Sequence, residues 1–373
     1  MQRALKRAAL AAAVVIGLRA GAAAPAGATD GDSDTVIGSG SDTTYHLMAD
    51  LDALYNGAVG CNATPPSGSA NRSFRCLIAA TATEAKGNGD HDVIMEMYPQ
   101  GSSFGIAHLA AVGETGVLPI QFARSSRAKR SSDNRSLRFV AYGREGISYA
   151  TFRSQGLPTN LTQSQLNKIY VTCEITNWSQ VGGPSRPIVI YTPQDGSGTR
   201  GEWDTFVGGD SSRCIPAQFR DGRADNGEHK VFENTGDAVA SSDRSGAILP
   251  YSMGRFAENG GQGTQLGSVN GVAPTIANVV NGTFPFTRSL YNVVDTRGAL
   301  TNATLAAFDY LGVKNDGTPG FLCKADNQHT NDPETGKTYA FRINQIFTEH
   351  GFARIDVGTT GGGVPGTSRC RVS

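Results

Sequence analysis

Neither sign of charge predominates in this sequence: its 373 residues carry 33 Lys or Arg and 33 Asp or Glu. That balance gives no electrostatic reason to expect nucleic acid or an anionic membrane as partner. Beyond the N-terminal stretch, no run reaches the roughly 18 apolar residues of a membrane span. Cys-x-x-Cys, His-x-x-x-His and His-Glu-x-x-His spacings are all missing, so no zinc ligand set is recognisable. Gly-x-x-x-x-Gly-Lys-(Ser/Thr) is missing too, which removes a nucleotide P-loop. Gly196-Ser197-Gly198 falls outside the Gly-x-Ser-x-Gly pattern of a nucleophile elbow. His91, between Asp90 and Asp92, invites a metal or phosphatase reading but fits a turn at a strand start. No metal and no cofactor are expected.

Glycine is abundant, with 47 residues, and hydrophobic content is 39%. The length suits two domains with buried cores, rich in loops. Arg3, Lys6 and Arg7 precede an apolar stretch over residues 8–18, and Ala26-Gly27-Ala28 offers a small-residue cleavage site. Residues 1–28 are therefore expected to be a signal peptide and the mature protein secreted, outside the cytoplasmic membrane. Six cysteines suit that compartment and permit fifteen connectivities. Proximity favours Cys61–Cys76, Cys173–Cys214 and Cys323–Cys370, each closing a loop and restricting the unfolded chain.

Short β-type runs alternate with helical ones. Strands are expected at residues 35–37, 92–97 and 187–191, with an extended run at 139–149. Helices are expected at 44–55, 102–111, 162–170 with Thr162 as N-cap, from 200 onward, and at 339–350. The alternation argues for α/β layers on a mostly parallel sheet. Residues 138–146 and 285–294 read as connections between two lobes.

Three stretches share one design, small hydroxyl residues and glycines placed between a strand and a helix start. They are Gly38-Ser39-Gly40-Ser41-Asp42-Thr43-Thr44, Gly101-Ser102-Ser103-Phe104-Gly105 and Asp195-Gly196-Ser197-Gly198-Thr199. The first amides of a helix lack intrahelical partners, and the macrodipole adds partial positive charge, which makes an anion site. Glycine admits the backbone close to a ligand, and each hydroxyl can donate a hydrogen bond. The competing reading of any one such loop is an ordinary N-cap. A fourth stretch, Phe122-Ala123-Arg124-Ser125-Ser126-Arg127, adds guanidinium groups that match tetrahedral oxyanions. Its competing reading is a solvated basic loop, continued by Lys129 and Arg130.

The segment Asp195-Gly196-Ser197-Gly198-Thr199 resembles the phosphate loop of the phosphate-binding proteins of ABC transporters. Residues 161–170 with Ile175-Thr176-Asn177-Trp178 are similar to that family's helix-then-Trp segment. Asn234-Thr235-Gly236-Asp237-Ala238-Val239 and Gly246-Ala247-Ile248-Leu249-Pro250-Tyr251 are similar to a later helix and strand. The resemblance implies an α/β, two-lobed, type 2 periplasmic-binding-protein-like fold with two hinge crossovers. It implies a first lobe from residues 29–140 and 288–373, and a second from 141–287. The implied ligand set is Thr43, Thr44, Ser102, Ser103, Arg124, Ser126, Asp195, Ser197, Gly198 and Thr199. Two positions depart from the family: Pro193 stands where an arginine is usual, and Ser126 where an aspartate accepts the proton of hydrogen phosphate. Arg124 or Arg200 is the expected replacement countercharge.

The function expected on this basis is capture of phosphate or a related oxyanion for ABC-type uptake, with an ABC permease as partner. The chain is expected to be a monomer and not an enzyme. The readings that compete are a secreted phosphatase-like enzyme and a surface interaction protein that has lost its ligand.

Overall fold

The computed structural model describes residues 36–56, 78–79, 101–113, 120–219, 229–231, 235–297, 310–311, 321–323, 335–355 and 370–372. The expected signal peptide, the strand at 92–97, Asn234 and the pair Cys61–Cys76 lie outside them.

One long strand organises the molecule. Strand β4 (Leu137–Phe152) is 16 residues long and buried along nearly its whole length. Strand β8 (Thr287–Asp295) runs antiparallel beside its first half, from Asp295↔Leu137 to Thr287↔Gly146. On the far side of β8 lie β3 (Phe122–Ser125), β1 (Val36–Gly40) and β2 (Ile78–Ala79). The second half of β4 pairs antiparallel with β6 (Ala247–Ser252), which pairs in parallel with β5 (Val189–Ile190). Strands β7 (Thr264–Leu266), β9 (Ala353–Arg354) and β10 (Arg371–Val372) also join β4, all antiparallel.

The sheet is therefore mixed, not mostly parallel. Parallel pairing occurs where a helical crossover separates strands, as in β1–β3 and β5–β6. The two strands that pass between the halves of the molecule run in opposite directions, because one leaves and the other returns. That connectivity imposes antiparallel pairing at the centre.

The same two strands carry two separate cores. Val140 and Tyr142 of β4 and Leu290 of β8 pack under α1 (Tyr45–Asn56) and α6 (Tyr339–Glu349) with Leu47, Met48, Leu51, Ile343 and Phe347. The other face of that sheet half holds Phe139, Ala123 and Val293 against Ile106 and Leu109 of α2 (Ser102–Ala111). Beyond Gly146 the membership changes. Ile147 and Tyr149 join Leu166 and Ile169 of α3 (Gln163–Tyr170), Trp178, and Trp203 of α4 (Gly198–Val207). Ala150 and Phe152 face the opposite way with Leu249 and Tyr251. Alternate side chains of a strand point to opposite faces, so each half of β4 serves two layers. Between the cores, Gly143-Arg144-Glu145-Gly146 supplies no large apolar side chain, which divides the molecule into two lobes.

Local signals explain the element starts. Thr162 caps α3 with a full capping box: Gln165 N donates to its hydroxyl, and Gln165 Oε1 accepts from the Thr162 backbone N–H. Ser252 and Thr338 cap α5 (Met253–Asn259) and α6 in the same way, without the reciprocal glutamine. Cys173–Cys214 and Cys323–Cys370 form disulfides. Among the described residues no helix is long and apolar enough to cross a membrane.

Candidate functional site

Loops at three helix starts converge at the junction of the lobes. Thr43 precedes α1, Ser102 is the first residue of α2, and Gly198-Thr199 open α4 behind the cap Ser197. Their side chains meet in one buried cluster. Ser41 Oγ donates to Ser126 Oγ at 3.1 Å, Ser102 and Ser126 hydroxyls are 3.2 Å apart, and Ser126 N donates to Ser102 Oγ at 2.9 Å. From the other lobe, Thr199 Oγ1 lies 3.3 Å from Thr43 Oγ1. A β-carbon on Gly198 would sit 2.4 Å from the hydroxyls of both Ser102 and Ser126, so only glycine fits between them. Gly101 makes a second close approach: Ser103 N donates to Gly196 O at 3.0 Å, while a β-carbon on Gly101 would stand 2.9 Å from that carbonyl.

The cation in this cluster is Arg288 of β8. Its Nη2 donates to Thr199 Oγ1 at 3.0 Å and its Nη1 to the Ser126 carbonyl at 2.9 Å. Its Nε donates to Glu145 Oε1 at 2.8 Å, and Nη2 also contacts that carboxylate. Glu145 is opposite Arg288 in the β4–β8 register, and its second oxygen accepts from the Ser252 hydroxyl and from Gly254 N. Hydroxyls, helix starts and a guanidinium drawn from both lobes form a site suited to an oxyanion.

Residues 68–311, more than half of the sequence, match the model of the PBP superfamily domain. The chain belongs to the PBP superfamily. One solved structure similar to this PBP chain is from Clostridium perfringens, described as a phosphate ABC transporter substrate-binding protein with bound phosphate. It is 17% identical with a TM-score of 0.53, over 86% of this chain and 99% of that one. Another is an ABC-type phosphate transport receptor from Vibrio cholerae, 20% identical with a TM-score of 0.47, over 74% and 93% of the two chains. At these identities the Clostridium likeness speaks for the fold, two lobes joined by crossing strands.

Of the sequence-selected residues in this PBP chain, Thr43, Ser102, Ser126, Gly198 and Thr199 lie in the cluster. Ser103 stands at its edge, accepting from Arg127 Nε at 3.2 Å. Ser197 turns its hydroxyl to Arg200 N as the helix cap. Thr44 is fully buried with its side chain toward Tyr142. Asp195 is not in the cluster: its side chain is 70% exposed and pairs with Arg200 at 2.6 Å and Lys230 at 3.2 Å. Arg200 spends its guanidinium on Asp195, Asp210 and Ser212, so it supplies no charge to the cluster.

Arg124 is buried, but its guanidinium serves the first loop. Nε donates to the Ser41 carbonyl at 3.0 Å and Nη1 to Gly38 O at 3.3 Å, with the Tyr45 ring 5.5 Å from the guanidinium carbon. Burial pulls its pKa down to about 10. Arg127 is braced by a two-point pair with Asp133. The sequence reading missed Arg288 and Glu145, because no local pattern marks either. Their opposition across two strands depends on a pairing 143 residues apart in sequence.

Asp42, in the first loop, accepts from Thr43 N at 3.0 Å and from Gln194 Nε2 at 3.4 Å, so it joins the first and third loops. Burial raises its pKa to about 7. The sequence also holds one Gly-x-Ser-x-Gly run, Gly101-Ser102-Ser103-Phe104-Gly105. Ser103 sits in the regular first turn of α2, not on the sharp turn where a nucleophile elbow presents its serine.

Proposed function

We propose that this chain is an extracytoplasmic solute-binding protein that holds phosphate or a related tetrahedral oxyanion between its lobes for an ABC permease. The observation that carries this reading is the meeting of the Ser41, Thr43, Ser102, Ser126 and Thr199 hydroxyls at the lobe junction, where Arg288 donates to the Thr199 hydroxyl and the Ser126 carbonyl. On this reading the lobes divide at residues 140/141 and 287/288, on the two crossing strands. Arg288 supplies the countercharge that Pro193 does not, and Thr43, Ser102, Ser126, Gly198 and Thr199 line the anion. The phosphate bound in the Clostridium perfringens structure supports the choice of phosphate as first ligand. Ser126 offers a hydroxyl, which both accepts and donates, so the site takes sulfate as well as phosphate.

On this reading the site binds its anion without covalent chemistry. Isothermal titration with phosphate and with sulfate tests the reading, and saturable binding of either anion is expected. A protein that binds neither, or that releases phosphate from an aryl phosphate ester, overturns it.

A further inference from the structure

We propose that Glu145 selects the charge of the bound anion, favouring a singly charged tetrahedral oxyanion over a doubly charged one. The inference rests on reading the hydroxyl cluster as the anion site. Side chains of Arg288 and Glu145 are 1% and 0% exposed, so the pair has no water to screen it. The guanidinium lies between the carboxylate on one side and Thr199 and Ser126 on the other. Glu145 is held from behind by the Ser252 hydroxyl and Gly254 N at the start of α5. Arg288 is the charged group that faces it across the strand pair, and Tyr142 is a titratable neighbour on β4.

Two consequences follow. A buried arginine without a partner would be strongly destabilising, so Glu145 keeps the cation in a dry site. The same carboxylate offsets part of its charge before any anion arrives. The partial charge of three helix starts, roughly half a unit at each, and the hydroxyl dipoles supply the rest of the attraction. Every Coulomb contribution, attractive or repulsive, grows in proportion to the ligand's charge, whereas the cost of stripping its water grows roughly as the square. With Glu145 reducing the attraction, a dianion recovers less of that cost than a monoanion does.

The experiment titrates the full chain with inorganic phosphate and with sulfate, at roughly pH 5.5 and roughly pH 8.5, in the wild type, Glu145→Gln and Glu145→Asp. Phosphate gains its second charge between those conditions, whereas sulfate is doubly charged at both. Sulfate therefore corrects for titration of the protein itself, including Asp42. Wild-type affinity for phosphate, relative to sulfate, should fall about tenfold or more as pH rises. Glu145→Gln should shrink that fall and improve sulfate relative to phosphate at the lower pH. Glu145→Asp keeps the charge and should keep the discrimination even if both affinities drop.

An equal loss for both anions in Glu145→Gln would mean that Glu145 only holds Arg288 in place, and the inference fails. If Glu145→Gln does not fold, a wild-type phosphate-to-sulfate ratio that stays flat or rises with pH overturns it as well. Binding of neither anion to the wild type defeats the anion reading itself, whereas binding with an unmoved ratio defeats only this step.

Discussion

Arg124 and Arg288 are both buried arginines that enclose the same group of loops, yet they are compensated in different ways. Arg124, on β3, gives its hydrogen bonds to the carbonyls of Gly38 and Ser41. Arg288, on β8, is matched by a full carboxylate and spends its remaining donors on Thr199 and Ser126. The first arrangement fixes the shape of a loop and the second places a cation at the junction of two lobes. Burial alone therefore does not tell an arginine that faces the lobe junction from one that braces a loop; the direction of the fork does.

Removing each guanidinium is the strongest way to break that comparison. Arg288→Ala leaves Glu145 buried without its cation, which should cost about 3–5 kcal/mol in stability. Arg124→Ala loses two carbonyl hydrogen bonds and the longer-range attraction of Asp52 and Asp42. No directly paired carboxylate is left behind among these contacts, so it should cost about 1–3 kcal/mol. Urea unfolding of both variants checks the order, and equal losses would erase the distinction. Arg288→Lys, which retains a charge without the fork, should abolish most anion binding while Arg124→Lys retains more of it.

Thr199 sharpens the comparison from the ligand's side, because its hydroxyl lies between Arg288 and Thr43. Thr199→Ala should weaken anion binding by about 1.5–3 kcal/mol, or roughly tenfold to more than a hundredfold. Gly198→Val should weaken it further by forcing apart Ser102 and Ser126. Titration calorimetry on both variants reads the effect, and parent-like binding in the pair would move the site elsewhere.

The smallest expected effect lies at a third charged contact, between α1, α5 and α6. His350 bridges Glu258 at 2.7 Å and Asp50 at 2.8 Å. Arg255 pairs with the same Glu258, and His46 and Glu349 line the adjoining cavity. The two carboxylates hold the His350 pKa above its ordinary value, against the opposing effect of burial. A raised folded-state pKa adds stability that is fully present below the unfolded value, roughly 6.5, and fades as pH rises through the folded one. His350→Gln should therefore lower Tm at acidic pH and match the wild type at alkaline pH. A deficit that grows with pH would reverse the assignment.

Much of the fold could be read locally. The helix expected at residues 102–111 is α2, and Thr162 is the cap of α3. Two expected cysteine pairs are bonded, each between cysteines that are consecutive along the sequence. Caps and hydrophobic periods are decided within a few residues, so a sequence displays them. The mixed sheet was not legible, because pairing direction follows from which strands cross between lobes. At the site, the loops and their hydroxyls were legible as a type, but the outward turn of Asp195 was not. Its neighbours Arg200 and Lys230 draw the carboxylate to the surface, and Lys230 is 35 residues away. Arg288 sits in an unremarkable strand, and only the register opposite Glu145 gives it a purpose.

The placement of β4 also governs the order in which the molecule can assemble. One half of the strand pairs with β6 and β7, both supplied by residues 247–266. Its other half waits for β8, then β9 at residues 353–354 and β10 at residues 371–372. A ribosome releases these segments one after another, and domains generally fold as units as they emerge. The lobe in the middle of the chain can thus complete its layers first. The lobe that begins earlier in sequence keeps an open sheet edge until residues 353–372 arrive. Unpaired edges are where chains stick to one another, so the early-made half is the one that needs protection longest.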